Sequence, residues 1–191
     1  MKSINYAIVE LDEAYNNSLK LSTGEDFIVN STIEDVSYIN RIAKVISIPE
    51  GLTVKENDLV VVHHNIFRLR HDFKGNLTIS DYFIEGNQYI VPLTEIFMYK
   101  RDSDWIALNP YCFVKPIKYE ENFDFEISLK EVSYKGKIKN MGIMAYPNPE
   151  LLSQGVKKGD VVMFNQYSEY EFKIDNQLYY KMSTKDIISV L

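Results

Sequence analysis

The chain has 191 residues, 46% hydrophobic and 25% charged, and its 27 acidic against 21 basic side chains give a formal net charge of -6. This composition belongs to folded domains rather than to a disordered tail, and the length suits one large domain or two small ones. An acidic chain with no run of Lys or Arg longer than two is a poor fit to nucleic acid, where binding rests on neutralising phosphates.

The single cysteine, Cys112, excludes an internal disulfide and points to a reducing compartment. It sits in the apolar run Tyr111-Cys112-Phe113-Val114, a setting that raises a thiol's pKa and suits a structural residue better than a nucleophile. No apolar run approaches the roughly 20 residues of a membrane span. Glu10 and Asp12 arrive too early for a signal peptide's apolar segment. The chain therefore reads as cytoplasmic, with no membrane partner.

Short runs rich in Val, Ile, Tyr and Phe, bounded by Gly, Asn and Asp, predict an all-β fold. Ala7–Glu10 is the first such run. It leads into "SLKLSTGEDFIVNSTIEDVSYINRIAKV", Ser18 to Val45. Ser22, Thr23 and Gly24 are too small and polar to pack a core and predict a mobile loop. The apolar triplet Phe27-Ile28-Val29 follows; by periodicity alone it reads as a buried strand.

"LTVKENDLVVVHHN", Leu52 to Asn65, is a turn running into a strand. Asn57 is placed for positive φ, and the Asp after it for hydrogen bonds back to nearby amides. His63, His64 and His71 are the only histidines. Adjacent residues on a strand face opposite sides, so His63 and His64 are not expected to share a metal, and no metal site is predicted. "RLRHDFKGNLTIS", Arg68 to Ser80, is a basic insertion suited to contacts between domains or subunits. Phe83–Val91 then holds a hairpin turned at Glu85-Gly86-Asn87, and Thr94-Glu95-Ile96 reads as a helical turn capped by Thr.

The second half repeats the first. Val54–Val61 aligns with Val156–Met163 at a shift of 102 residues, and Phe83–Val91 aligns with Phe172–Tyr180. Ala7–Glu10 is echoed by Cys112–Lys115, Ile48-Pro49 by Tyr146-Pro147, and Leu93–Phe97 by Ser183–Ile188. Blocks recurring in one order at unequal shifts predict two copies of one fold. The junction falls within Tyr99–Pro110, giving domains at 1–102 (with the insertion at about 68–80) and 103–191. In the second copy Gly159 takes the left-handed position held by Asn57 in the first.

"GVKKGDVVMFNQYSEYEFKIDNQLYYKMSTKDIISVL", Gly155 to Leu191, resembles the C-terminal half of the GroES co-chaperonin family. Val156, Lys157, Gly159, Asp160, Val162, Phe164, Tyr167, Met182, Asp186 and Ile187 match the family pattern in order. The first copy follows the same outline, so the chain resembles a divergent tandem member, in the style of phage-encoded ones. The resemblance implies two small GroES-like β-barrels, a homo-oligomeric ring and a GroEL-type chaperonin as partner, in the host cytoplasm if the chain is phage-encoded. It implies no catalytic residues and no cofactor, since ATP is bound by the chaperonin.

In this family an apolar tripeptide on a mobile loop docks on the chaperonin. The resemblance carries that role to Gly24, Phe27, Ile28 and Val29, with Glu25 and Asp26 between the glycine and the triplet. In the second copy it falls on Phe125, Ile127 and Leu129, where glycines are missing and the alternation reads as an ordered strand. The family's roof hairpin has only Pro49–Thr53 and Pro147–Gly155 to occupy, which implies an open or thinly covered dome. A tandem β-barrel adaptor or virion structural module without chaperonin binding is the alternative reading. Zinc-dependent alcohol dehydrogenases carry a similar barrel but need a Rossmann domain and Cys/His ligands, and the sequence shows neither.

Overall fold

A computed structural model describes residues 3–33, 35–118, 137–175 and 177–191. It divides into two compact units, Met1–Asp104 and Trp105–Leu191. The described residues are overwhelmingly β, in antiparallel sheets.

The first unit holds β1 (Tyr6–Glu10), β2 (Ser18–Lys20), β3 (Asp26–Ile28), β4 (Ile42–Ser47), β5 (Leu59–Val62), β6 (Arg70–His71), β7 (Leu77–Thr78), β8 (Gln88–Pro92) and β9 (Ile96–Arg101). Its main sheet runs β9-β5-β4-β1-β8. Burial alternates with period two along β4 and β8, as expected of strands with one face on a core. Val9, Val45, Val60, Val62 and Phe67 are fully buried. Two small hairpins, β2–β3 and β6–β7, form separate two-stranded sheets.

A short strand, β10 (Asp104–Ala107), begins at the unit boundary. The second unit continues with β11 (Tyr111–Lys118), β12 (Lys137–Tyr146), α1 (Pro149–Ser153), β13 (Val161–Phe164), β14 (Tyr170–Ile174), β15 (Gln177–Ser183) and β16 (Ile187–Val190). Its sheet runs β16-β13-β12-β11-β15-β14. Exchanging β9, β5, β4, β1 and β8 for β16, β13, β12, β11 and β15 reproduces the first unit's neighbour order. The extra strand β14 pairs Phe172 with Tyr179, and the first unit keeps only the equivalent bridge, Phe83 with Tyr89.

The repeated turn behaves alike in both units. Asn57 has φ +69° and Gly159 has φ +97°, the left-handed region that Gly and Asn tolerate. Asp58 Oδ2 accepts from the Lys55 amide at 2.8 Å, and Asp160 Oδ2 from the Lys157 amide at 2.7 Å. The Asn57 and Gly159 amides donate to Val45 O and Met144 O at 2.9 and 2.8 Å, which pins each turn to the strand beside it. The copies differ in one respect. Arg101 grips the Asp58 carboxylate at 3.0 and 2.6 Å, and Asp58 is nearly buried.

Several local expectations need correction. The turn at Leu93–Glu95 is preceded by Pro92 with no side-chain cap bond, not capped by Thr. The turn at Thr184–Asp186 takes Ser183 as its cap residue; the Asp186 carboxylate accepts the Ser183 amide at 3.0 Å. The proline ring has no side-chain acceptor to offer, and serine already stands one residue before Thr184. His63 and His64 do not alternate along a strand. β5 ends at Val62, and a 3-10 turn over His64–Ile66 stacks the two rings at 4.2 Å. Burial first, then the charges of His63, Arg41 and Arg68, push His64 down to about 4. Among the described residues no group of three metal-capable side chains forms. Within Pro147–Gly155 the residues Pro149–Ser153 form helix α1, whose N-cap Asn148 accepts the Leu151 amide at 2.9 Å.

Candidate functional site

The β2–β3 hairpin is the feature the sequence singles out, and its local chemistry explains its shape. Gly24 has φ +86° with open space around its α-carbon, so it closes the turn at no steric cost. The Gly24 amide donates to Leu21 O at 2.9 Å, and the Leu21 amide to Glu25 O at 2.8 Å. The strands register Ser18 with Ile28, Leu19 with Phe27 and Lys20 with Asp26. At the base the Val29 amide donates to Asn17 O at 2.8 Å, and Asn30 Nδ2 donates to Asn17 Oδ1 at 2.9 Å and to Thr32 O at 2.7 Å.

Phe27 is 57% exposed and Ile28 71% exposed, while Val29 is half-buried at the base. The segment is thus a strand, as periodicity implies, but not a buried one. Leu21 at the turn is exposed as well. Two carboxylates, Glu25 and Asp26, and the Lys20 ammonium share the hairpin with these apolar groups. Such a surface offers apolar contact to a groove and holds no nucleophile or base arranged for chemistry. Phe125, Ile127 and Leu129 lie outside the described residues.

Sequence patterns missed the residues that root the hairpin. The Tyr15 ring is buried, and its hydroxyl donates to Ile33 O at 3.1 Å and accepts the Leu69 amide at 3.2 Å. Tyr15 also bridges Ile39. Nothing local marks a tyrosine for partners 18 and 54 residues away. The paired Asn17 and Asn30 were readable only as loop residues.

Elsewhere, Cys112 is fully buried. Burial, assisted by Asp186 and partly offset by Lys181, pushes its thiol up to about 12, which suits a packing role. Among the described residues no helix is long and apolar enough to cross a membrane.

The described residues form an overwhelmingly β architecture that carries an exposed apolar hairpin. Residues 126–191 match the family described as the chaperonin 10 Kd subunit. Over this stretch, which spans most of the second unit, the chain is similar to the chaperonin 10 (GroES) family. The co-chaperonin GroES of Aquifex aeolicus (strain VF5) is 36% identical over 63 residues, covering 32% of this chain and 52% of that relative. The chain therefore spans about half the length of the curated relative it matches.

Proposed function

We propose that this chain is a co-chaperonin, a non-enzymatic cap that docks on a GroEL-type chaperonin through the β2–β3 hairpin, with Phe27 and Ile28 as the apolar contacts. The observation that carries this reading is the exposure of both side chains on a hairpin held outside the main sheet, in a chain with a chaperonin 10 domain. Gly24 shapes the turn and Val29 anchors its base. On this reading the first unit is a second GroES-like barrel, and chains assemble as a homo-oligomeric ring. Phe125, Ile127 and Leu129 would supply a second contact of the same kind.

The energetics suit a reversible cap. Fully burying a Phe or Ile side chain gains about 1.5–3 kcal/mol, less the cost of ordering the groups that meet. A hairpin already closed by Gly24 and tied down by Asn17 and Asn30 has less order left to lose. One hairpin then binds weakly and releases readily, and a ring presenting several gains by effective concentration. ATP belongs to the chaperonin, whose nucleotide state sets the affinity; this chain needs no cofactor.

The test is co-elution with a GroEL-type chaperonin, including that of the source organism, with ATP or ADP present. Ile28→Ser should abolish or sharply weaken co-elution while native mass spectrometry shows the same assembly. Undiminished binding by Ile28→Ser removes the hairpin from the docking role, and no binding by the unaltered chain removes the function.

A further inference from the structure

One group of side chains in the first unit has no part in the docking hairpin. Residues 63–82 lead from β5 to the Phe83 bridge, where the second unit needs only residues 165–169 between β13 and β14. The short connection has no Lys, Arg or His, whereas the long one opens with His63, His64 and Arg68. Arg41 joins them from the start of β4. The Val62 amide donates to Arg41 O at 2.9 Å, which sets Arg41 across from the residue before His63. The 3-10 turn over His64–Ile66 then carries the chain through the buried Ile66 and Phe67 to Arg68. All four residues are half-buried.

The charges felt at His64 are all cationic. After burial, which acts first, they are those of His63, Arg41 and Arg68, each opposing a proton on the ring. The His63 and His64 rings stack at 4.2 Å. The Asn65 amide donates to His63 Nδ1 at 3.1 Å, so the neutral ring carries its hydrogen on Nε2 and donates from there. Arg68 departs furthest from ordinary pairing. Its Nε is buried and makes no hydrogen bond among the described residues, and none of the described ion pairs includes it. Arg70, two residues on, is by contrast paired with Asp81. A buried donor without an acceptor costs its full desolvation, and buried charges are ordinarily paired. An anion beside Arg68 supplies the missing acceptor and offsets the repulsion among the cations.

The donors select the kind of anion. A guanidinium presents its N–H groups in a planar fork that fits a carboxylate or a phosphate through two bonds. Two guanidiniums and a donating imidazole offer two charges and more donors than a carboxylate uses, since it answers one charge with two oxygens. A phosphate group carries about −1.5 to −2 charge at pH 7 and three acceptor oxygens.

We propose that Arg68, Arg41 and the His63–His64 pair bind an oxyanion of the phosphate class in the first unit, with the Arg68 guanidinium as its main donor and Arg41 balancing its second charge. The site does not depend on the docking reading and needs no chaperonin to be filled. Free phosphate and the terminal phosphoryl group of a nucleotide present the same oxygens to it.

The experiment titrates the full chain at about pH 7 with sodium phosphate, with ADP and with acetate, at ionic strength matched with chloride. Histidine ring signals in NMR and the melting temperature are the readouts. With phosphate, the His63 and His64 signals should shift to saturation while those of His71, the remaining histidine, hold still. The melting temperature should rise with phosphate above its value in chloride. Arg68→Gln should weaken phosphate binding roughly 10- to 100-fold, the loss of one charged hydrogen-bonding group. In chloride alone Arg68→Gln should melt no lower than the unaltered chain, because the guanidinium it removes has no protein partner to lose. Arg70→Gln should bind phosphate as the unaltered chain does. Saturation by ADP with the same shifts assigns the oxyanion to a nucleotide, and saturation by phosphate alone assigns it to the free ion. Acetate acting as well as phosphate overturns the phosphate class. Absent or non-saturating shifts, equal weakening by Arg70→Gln, or an Arg68→Gln that melts lower in chloride and still binds phosphate each overturn the site.

Discussion

Gly142→Ala should disrupt the second unit, and the structure gives the size of the effect. Gly142 lies in β12, opposite Val162 on β13 and Pro116 on β11. A Cβ placed there would stand 2.2 Å from Val114 Cγ1, 2.8 Å from Lys115 O and 3.6 Å from Phe164 Cε1. Carbon atoms pack best at about 3.5–4.0 Å, so the first contact is a deep overlap. Val114 is fully buried and Phe164 nearly so, and Lys115 O is backbone, which leaves little slack on any side. Overpacking a tight core costs about 1–3 kcal/mol, occasionally more, and a clash with backbone favours the upper part of that range. For a domain of this size each kcal/mol lowers the melting temperature by roughly 4–8 °C.

Trp105 provides the signal. It is the chain's only tryptophan, belongs to the second unit, is nearly buried, and donates Nε1–H to Asp175 Oδ2 at 3.2 Å. Its fluorescence reports the loss of that burial and of the bond to Asp175, which lies in the same unit. Adding Val114→Ala removes the nearest atom, so the double variant should be less destabilised than the sum of the single changes. A Trp105 transition for Gly142→Ala that coincides with the unaltered protein's would refute the close approach on which the argument rests.

Three further outcomes follow from the same geometry. Burial alone would raise the Asp58 carboxyl, but the Arg101 hydrogen bonds, the Lys55 amide and the charges of Arg101 and Lys55 outweigh it and leave the group lowered from 3.8. A lowered carboxyl contributes stability above its unfolded value that is lost as pH falls through the folded one. Urea unfolding followed by circular dichroism should thus show Arg101→Met destabilising at about pH 7, with the gap to the unaltered chain shrinking as pH drops below about 4; a constant gap would count against the pair. Gly159→Ala should cost about 1–2 kcal/mol through its left-handed φ, and Gly159→Asn less, since Asn57 already fills the equivalent place; the Trp105 signal measures both. The Cys112 thiol, pushed up to about 12, should resist a thiol-reactive disulfide reagent in the folded protein at about pH 8 and react on unfolding, and rapid labelling under native conditions would contradict its burial.

Much of the second unit was legible in the sequence because its signals are local. A left-handed turn needs Gly or Asn, a carboxylate three residues on can take the amide behind it, and a strand against a core alternates; so Gly159 with Asp160 and Asn57 with Asp58 announced the same turn twice. The recurring blocks were readable for the same reason, as each is a strand with its own turn. The triplet Phe27-Ile28-Val29 shows the limit of such signals. Periodicity identifies a strand but not what lies against it, and the same three letters serve a core strand or an exposed hairpin. Likewise His63 and His64 were placed on opposite faces because the end of β5 leaves no local mark.

The sequence by itself determined the β class, the repeated turn and the unit organised around it, since these follow from backbone preferences within a few residues. Only the tertiary structure decided that Phe27 and Ile28 face outward, that Arg101 closes over Asp58 and that the Tyr15 hydroxyl joins the feet of two hairpins. Those outcomes depend on which distant residues arrive at one point, and for Tyr15 that means partners 18 and 54 positions away, beyond the reach of any local pattern.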